Sequence, residues 1–126
     1  MNIPDDLRYS SDHEWVRRDG DTVTIGITDY AQDSLGDVVF VELPDVGTEV
    51  AANDSFTEVE STKSVSDIYA PVAGSISAVN DQLDDHPELL NSDPYGDGWI
   101  CSITMSDPSQ FDALLDADGY RSLTEG

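Results

Sequence analysis

The chain is poor in positive charge. Four arginines (Arg8, Arg17, Arg18 and Arg121) and one lysine, Lys63, stand against 27 acidic residues, for a net charge of −22 over 126 residues. Nucleic acid and anionic membrane surfaces are polyanions that demand a basic face, so neither is an expected partner. Cys101 is the single cysteine, which excludes an intramolecular disulfide. No apolar run approaches the ~18 residues of a membrane span. Met1 to Asp6 has neither the basic region nor the apolar stretch of a signal peptide. The expectation is a soluble cytoplasmic protein. A glycine-rich phosphate loop and the G-x-S-x-G signature are both missing. The two histidines, His13 and His86, have no cysteine cluster near them, so no metal site is expected. Cys101 sits in an apolar strand context that predicts a buried, inert thiol.

The acid excess has its own pattern. Twenty of the 27 acids are aspartate, spread from Asp5 to Glu125 without forming a block. Self-repulsion of this size destabilises a compact state. Salt relieves it, because the Debye length falls to ~3 Å at 1 M. The composition therefore points to a salt-rich cytoplasm.

At this length and with 38% hydrophobic residues, residues 1–126 form one expected domain with its own core. Thr22 to Thr28 alternates, with Val23, Ile25 and Ile27 on one face, which predicts a half-buried strand. His13 to Arg17 is its hairpin partner across a turn at Gly20. Thr28 or Asp29 caps a short helix to Leu35, closed by Gly36. Strands are expected at Val38–Leu43, Phe56–Glu60, Asp67–Pro71, Val72–Val79 and Trp99–Met105. Asp85 to Asn91 reads as a short helix with Pro87 in its first turn. A C-terminal helix is expected at about 107–118, capped by Asp107, started by Pro108 and stopped by Gly119. Many short strands with a few short helices make a mainly β, sandwich-like or flattened-barrel domain.

Lys63 stands in Glu60-Ser61-Thr62-Lys63-Ser64-Val65-Ser66-Asp67, between two expected strands. An arginine cannot replace an amine that must be acylated, because the guanidinium stays protonated. Salt adaptation also depletes lysine, so scarcity alone does not make Lys63 functional; its context does. Val46-Gly47-Thr48-Glu49-Val50 echoes Val79-Asn80-Asp81-Gln82-Leu83, 33 positions later, and the midpoint falls on Thr62-Lys63. Two similar halves joined by a turn would hold the lysine at a rigid tip, as a carried cofactor requires.

Glu60 to Gly74 resembles the lipoyl-lysine segment of the glycine cleavage system H proteins. His13-Glu14-Trp15-Val16, Gly26 to Gln32, Leu35 to Pro44 and Asn91 to Trp99 are similar to further signatures of that family, in family order. The resemblance implies a lipoyl/biotinyl-carrier-like β-sandwich with quasi-twofold halves, and lipoate joined to Lys63 as an amide. It implies a carrier rather than an enzyme. The aminomethyl group of glycine would pass from glycine decarboxylase, a pyridoxal-phosphate enzyme, to a tetrahydrofolate-dependent aminomethyltransferase. Dihydrolipoyl dehydrogenase would reoxidise the arm, and a lipoate ligase or lipoyl/octanoyl transferase would attach it. It implies a cleft near His13, where Glu14 and Asp67 contact the cationic amine, and recognition of Glu60 by the lipoylating enzyme. Three departures from the family stand out. Thr62 and Ser64 flank the lysine where valine and alanine are commoner. Asp12 replaces a small or hydroxyl residue and adds charge to the cleft. Asn53-Asp54 fills a turn that is usually glycine-rich.

Rival readings remain at this level. A 2-oxo-acid dehydrogenase lipoyl domain would come with a flexible linker, which is not legible here. A biotin carrier would have methionine on both sides of Lys63. A lipoate relay within the same family is not separable by sequence, and a hydrolase using His13 with an acid is a different class. A shuttle that presents its arm to several enzymes is expected to be a monomer. From the charge alone, the melting temperature should rise between dilute buffer and molar KCl; a circular-dichroism melt showing no gain would exclude salt adaptation.

Overall fold

The computed structural model describes residues 2–125. Among the described residues, nine strands form two antiparallel sheets. β1 (Arg8–Tyr9), β2 (Glu14–Asp19), β3 (Thr22–Ile27), β5 (Glu49–Val50), β8 (Gly74–Val79) and β9 (Cys101–Met105) make a six-stranded sheet in the order β1-β2-β3-β9-β8-β5. β4 (Val38–Glu42), β6 (Ser55–Ser61) and β7 (Val65–Tyr69) make the second, in the order β4-β6-β7. The short helices are α1 (Asp29–Leu35), α2 (Gln82–Asp85), α3 (Leu89–Ser92) and α4 (Ser109–Asp112), followed by α5 (Ala117–Glu125). The mainly β sandwich with short helices and a C-terminal helix is as the sequence predicts.

The alternation in β3 sends Val23, Ile25 and Ile27 into the space between the sheets. There they meet Ile76 and Ile103 of the large sheet and Val41, Val59 and Ile68 of the small one. Each such buried side chain contributes roughly 1.5–3 kcal/mol of hydrophobic stabilisation. A second cluster of Leu7, Tyr9, Trp15, Ala117 and Tyr120 joins the large sheet to α5. Tyr9 and Tyr120 stack there at 4.7 Å.

The expected hairpin β2–β3 forms, with Gly20 at φ 64° in its turn. Thr28 caps α1, its hydroxyl accepting from the Ala31 N–H at 3.1 Å, and Gly36 at φ 80° closes that helix. Three expectations need correction. The C-terminal helix of about 107–118 is instead two helices. Tyr9 and Leu115 exchange both backbone hydrogen bonds at 2.8 Å, which draws the chain out of helical geometry between α4 and α5. Gly119 does not stop a helix but lies in the first turn of α5, where Asp116 accepts from its N–H at 2.8 Å. The helix expected at Asp85–Asn91 is split into α2 and α3, because Pro87 lacks an N–H and its ring clashes with the carbonyl four residues back. Finally, the two echoing segments differ in structure. Val46–Val50 leads into β5, with Gly47 at φ 93°. Val79–Leu83 turns into α2, and the buried Asn80 amide donates to the Asp97 and Trp99 carbonyls at 2.7 Å each.

Gly26 is needed for packing. A Cβ there would lie 2.6–2.7 Å from the Trp15 indole. The indole is fully buried and its Nε1 donates to the Pro94 carbonyl at 2.8 Å, so it has nowhere to move. Gly26→Ala should cost about 2 kcal/mol or more; denaturant unfolding in constant molar KCl measures it, and an unchanged midpoint would contradict this packing.

Candidate functional site

Lys63 lies in the turn between β6 and β7, and its position is fixed by short local bonds. The buried Ser61 hydroxyl accepts from the N–H groups of Lys63 and Ser64, both at 3.1 Å, and donates to the Ser64 carbonyl at 3.2 Å. The Ser61 N–H also donates to that carbonyl, at 2.8 Å. Serine favours such side-chain-to-backbone bonds over continued strand. A longer-range bond, Thr62 N–H to the Asp37 carbonyl at 3.0 Å, ties the turn to the α1–β4 connection. That connection is in turn clamped by Asn91 of α3. The Asn91 amide donates to Gln32 Oε1 at 3.0 Å and to the Gly36 carbonyl at 2.8 Å, and its oxygen accepts from the Val38 N–H at 2.8 Å.

The Lys63 stem passes over Gly36. A Cβ on that glycine would stand 3.1 Å from Lys63 Cε and 3.4 Å from Cδ. Among the described residues Nζ has no hydrogen bond or ion pair, whereas every arginine is engaged. Arg8 and Arg18 lie over the Phe111 ring, Arg17 lies over Trp15, and Arg121 bonds Asp5, Asp118 and the Ile3 carbonyl.

Beside the turn is a cleft of about 370 Å³ between β7, α1 and the segment before β2. Ser64, Ser66 and Asp67 line one wall, Tyr30, Ser34 and Leu35 another, and Asp12 and His13 the end. Three of the sequence-derived candidates, Asp12, His13 and Asp67, therefore meet in one cleft next to Lys63. Glu60 does not, because it points outward from β6. Glu14 lies beside the cleft, lining an adjoining space that shares Asp12 with it. His13 adopts φ 70°, which turns the chain so that Glu14 enters β2 facing a neighbouring pocket of about 250 Å³. Asp12 lines both spaces. His13 Nδ1 lies 2.7 Å from the Tyr120 hydroxyl, and the His13 ring stacks on Tyr30 at 4.5 Å. Burial holds the His13 imidazole below its usual pKa, against an opposing pull from Asp12.

Sequence reasoning missed Asn91, Tyr120 and Thr28 as supports of this cleft. The Tyr120 hydroxyl bridges His13 and Thr28 at 2.7 Å each. Nothing local in the sequence signals these contacts, since they span 53 to 107 residues.

Glu14 is 1% exposed, and Ser10 Oγ donates to its Oε1 at 2.5 Å. Its Oε2 is buried without a partner. Burial pushes the carboxyl up to about 7, and the negative charge of Asp12 adds to the rise. The unfolded chain releases this proton near 4.5, so between 4.5 and about 7 the folded chain retains a proton that the unfolded chain has lost. Stability falls as pH rises through that window. Wild type should therefore lose roughly 2–3 kcal/mol more than Glu14→Gln between pH 5 and pH 8. Parallel denaturant curves, with a carbon-13 titration of the carboxyl, test this; equal pH slopes would refute it.

A family profile described as glycine cleavage H-protein matches residues 7–126. The chain is 60% identical over 125 residues to a Haloarcula marismortui protein described as a probable glycine cleavage system H protein, covering 99% of this chain and 98% of the relative. It is 58% identical over 130 residues to the glycine cleavage system H protein of Mycobacterium avium, covering 98% of each. The crystal structure of a glycine cleavage system H protein from Mycobacterium marinum superposes with a TM-score of 0.90 at 43% identity, covering 98% of this chain and all of that one. The fold, the lysine-bearing turn and these likenesses together place the chain in the glycine cleavage H-protein family.

Proposed function

We propose that this chain is the lipoyl carrier of glycine cleavage, with lipoate joined to Lys63 Nζ as an amide. The observation that carries the reading is a single lysine, unengaged at Nζ, on a turn pinned beside a cleft. The residues fit such an arm. Ile27, Ala31, Leu35 and Ile68 give the cleft an apolar lining for a hydrocarbon chain, and Asp12 and Asp67 give it carboxylates for a cation. When attached, lipoate supplies a disulfide that takes up the aminomethyl group of glycine and passes it on.

The protein's own part is positioning and shelter. The Ser61 turn holds the amine out for acylation. Asp67 and Asp12 accept charge-assisted hydrogen bonds from a protonated amine carried on the arm. Tyr30 and the apolar wall keep water from it. Glu14, with its free Oε2 beyond Asp12, serves an arm that extends past that residue. Glu60 is the acid the lipoylating enzyme reads. The partners are glycine decarboxylase, the tetrahydrofolate-dependent aminomethyltransferase and dihydrolipoyl dehydrogenase, with a lipoate ligase or lipoyl/octanoyl transferase for attachment. The likeness to a Haloarcula protein supports a salt-rich cytoplasm as the setting, and a monomer suits successive partners.

Protein purified from its own host should show the mass of a lipoyl amide, mapped to Lys63. Lys63→Arg should abolish glycine–bicarbonate exchange with glycine decarboxylase while leaving the fold intact. An unmodified lysine in lipoate-replete cells would defeat the carrier reading. A lipoylated chain that fails the exchange assay would instead be a lipoate relay.

A further inference from the structure

The outer face of the β4-β6-β7 sheet has an order that salt adaptation does not explain. The register places Phe40, Glu60 and Val65 directly across from one another, in the row nearest the lysine turn. Behind it lies a second outward row, Glu42 and Glu58, which ends at Asp67 on the edge strand β7, where the sheet borders the cleft. Between the two, Val41, Val59 and Ser66 face inward. Phe40 is 52% exposed and Val65 57%, so two large apolar side chains flank the acid three residues before Lys63. A bulge between Val38 and Phe40 turns Val39 outward as well, at 51% exposure.

The row of acids acts against stability in the isolated protein, and the apolar row leaves area unburied. Like charges directly opposed on adjacent strands are destabilising. Half-exposed phenylalanine and valine leave apolar area in water, and no base shares the face, since all four arginines are committed elsewhere. An acid-rich surface can come from salt adaptation; an apolar pair bracketing one glutamate cannot. The complement of this face is a protein surface with a shallow apolar seat ringed by arginine or lysine.

We propose that this face is the docking surface for the enzyme that acylates Lys63. Phe40 and Val65 are the apolar anchors, and Glu60, Glu58 and Glu42 meet a cationic rim. The inference rests on the carrier reading above. In the reaction served, the neutral amine of Lys63 attacks the carbonyl carbon of an acyl-adenylate made from ATP and the acid. The amide forms, AMP leaves, and the nitrogen gives up a proton. The two rows do different work. In molar salt the charges are screened and the apolar pair carries the affinity. In dilute salt the acids speed the encounter.

The test uses the unmodified chain and a purified lipoate–protein ligase that acylates the wild type, with ATP and octanoate, followed by mass at Lys63. Phe40→Thr with Val65→Thr keeps strand-compatible side chains and removes the anchors. In molar KCl it should lower kcat/KM by about tenfold, mainly through KM. Val46→Thr is the control: it is equally apolar and 61% exposed, in the turn before β5, and should change nothing. Glu42→Gln with Glu58→Gln should flatten the salt dependence of kcat/KM. A double threonine variant within twofold of wild type, with a native melting curve, would overturn the anchors. An unchanged salt dependence in the glutamine variant would overturn the cationic rim. A wild-type dimer in light scattering that the threonine variant abolishes would assign the face to a second copy instead. None of these outcomes depends on whether the natively expressed protein carries lipoate, so the carrier reading and the docking face fail separately.

Discussion

Everything at the candidate site depends on one hydroxyl. Ser61 takes up the backbone N–H groups of the two residues that follow Thr62, which would otherwise be left to water or to a looser turn. With that bond in place, β6 and β7 are joined by a turn of fixed shape, and the lysine between them has a defined origin. The Thr62–Asp37 bond and the Asn91 clamp then set this turn against α1, whose other side forms the cleft. A carrier arm that wanders from its root would lose its shelter, so the rigidity of the root and the usefulness of the cleft are one property.

The electrostatics of the chain follow the same division of labour. With so few cations available, the fold assigns each arginine to a carbonyl, an aromatic face or a surface acid, and among the described residues leaves the one lysine amine uncommitted. The acids are mostly solvated. Glu14 is the exception, because burial makes its charged form costly, and the Ser10 hydroxyl and the Tyr69 backbone offset only part of that cost. A cation brought to that region would find a carboxyl with accepting capacity in reserve.

Much of this was legible in the sequence, and the boundary of legibility has a physical cause. The β2–β3 hairpin, the capped α1 and the lysine turn are encoded by residues within a few positions of each other: alternation in Thr22–Ile27, Thr28 ahead of a helix, and serine beside Lys63. The misread elements were decided from far away. The C-terminal pattern of Phe111, Leu114 and Leu115 is helical in spacing, yet Leu115 is captured by Tyr9 across the molecule. Similar five-residue patterns at Val46 and Val79 became a strand and a helix, since Asn80 found carbonyls at Asp97 and Trp99.

The bridge from Tyr120 to His13 bears on the order in which the molecule is assembled. It closes a separation of 107 residues, and the last helix supplies it. The Ser61 turn closes over two or three. Loop-closure entropy and synthesis from the N-terminus both favour closing the short loop of the turn ahead of the long one that brings Tyr120 to His13. The turn that holds the amine thus needs nothing from the last helix, whereas the His13 end of the cleft does. Truncation or fraying at the C-terminus would leave that amine in position and the shelter unfinished.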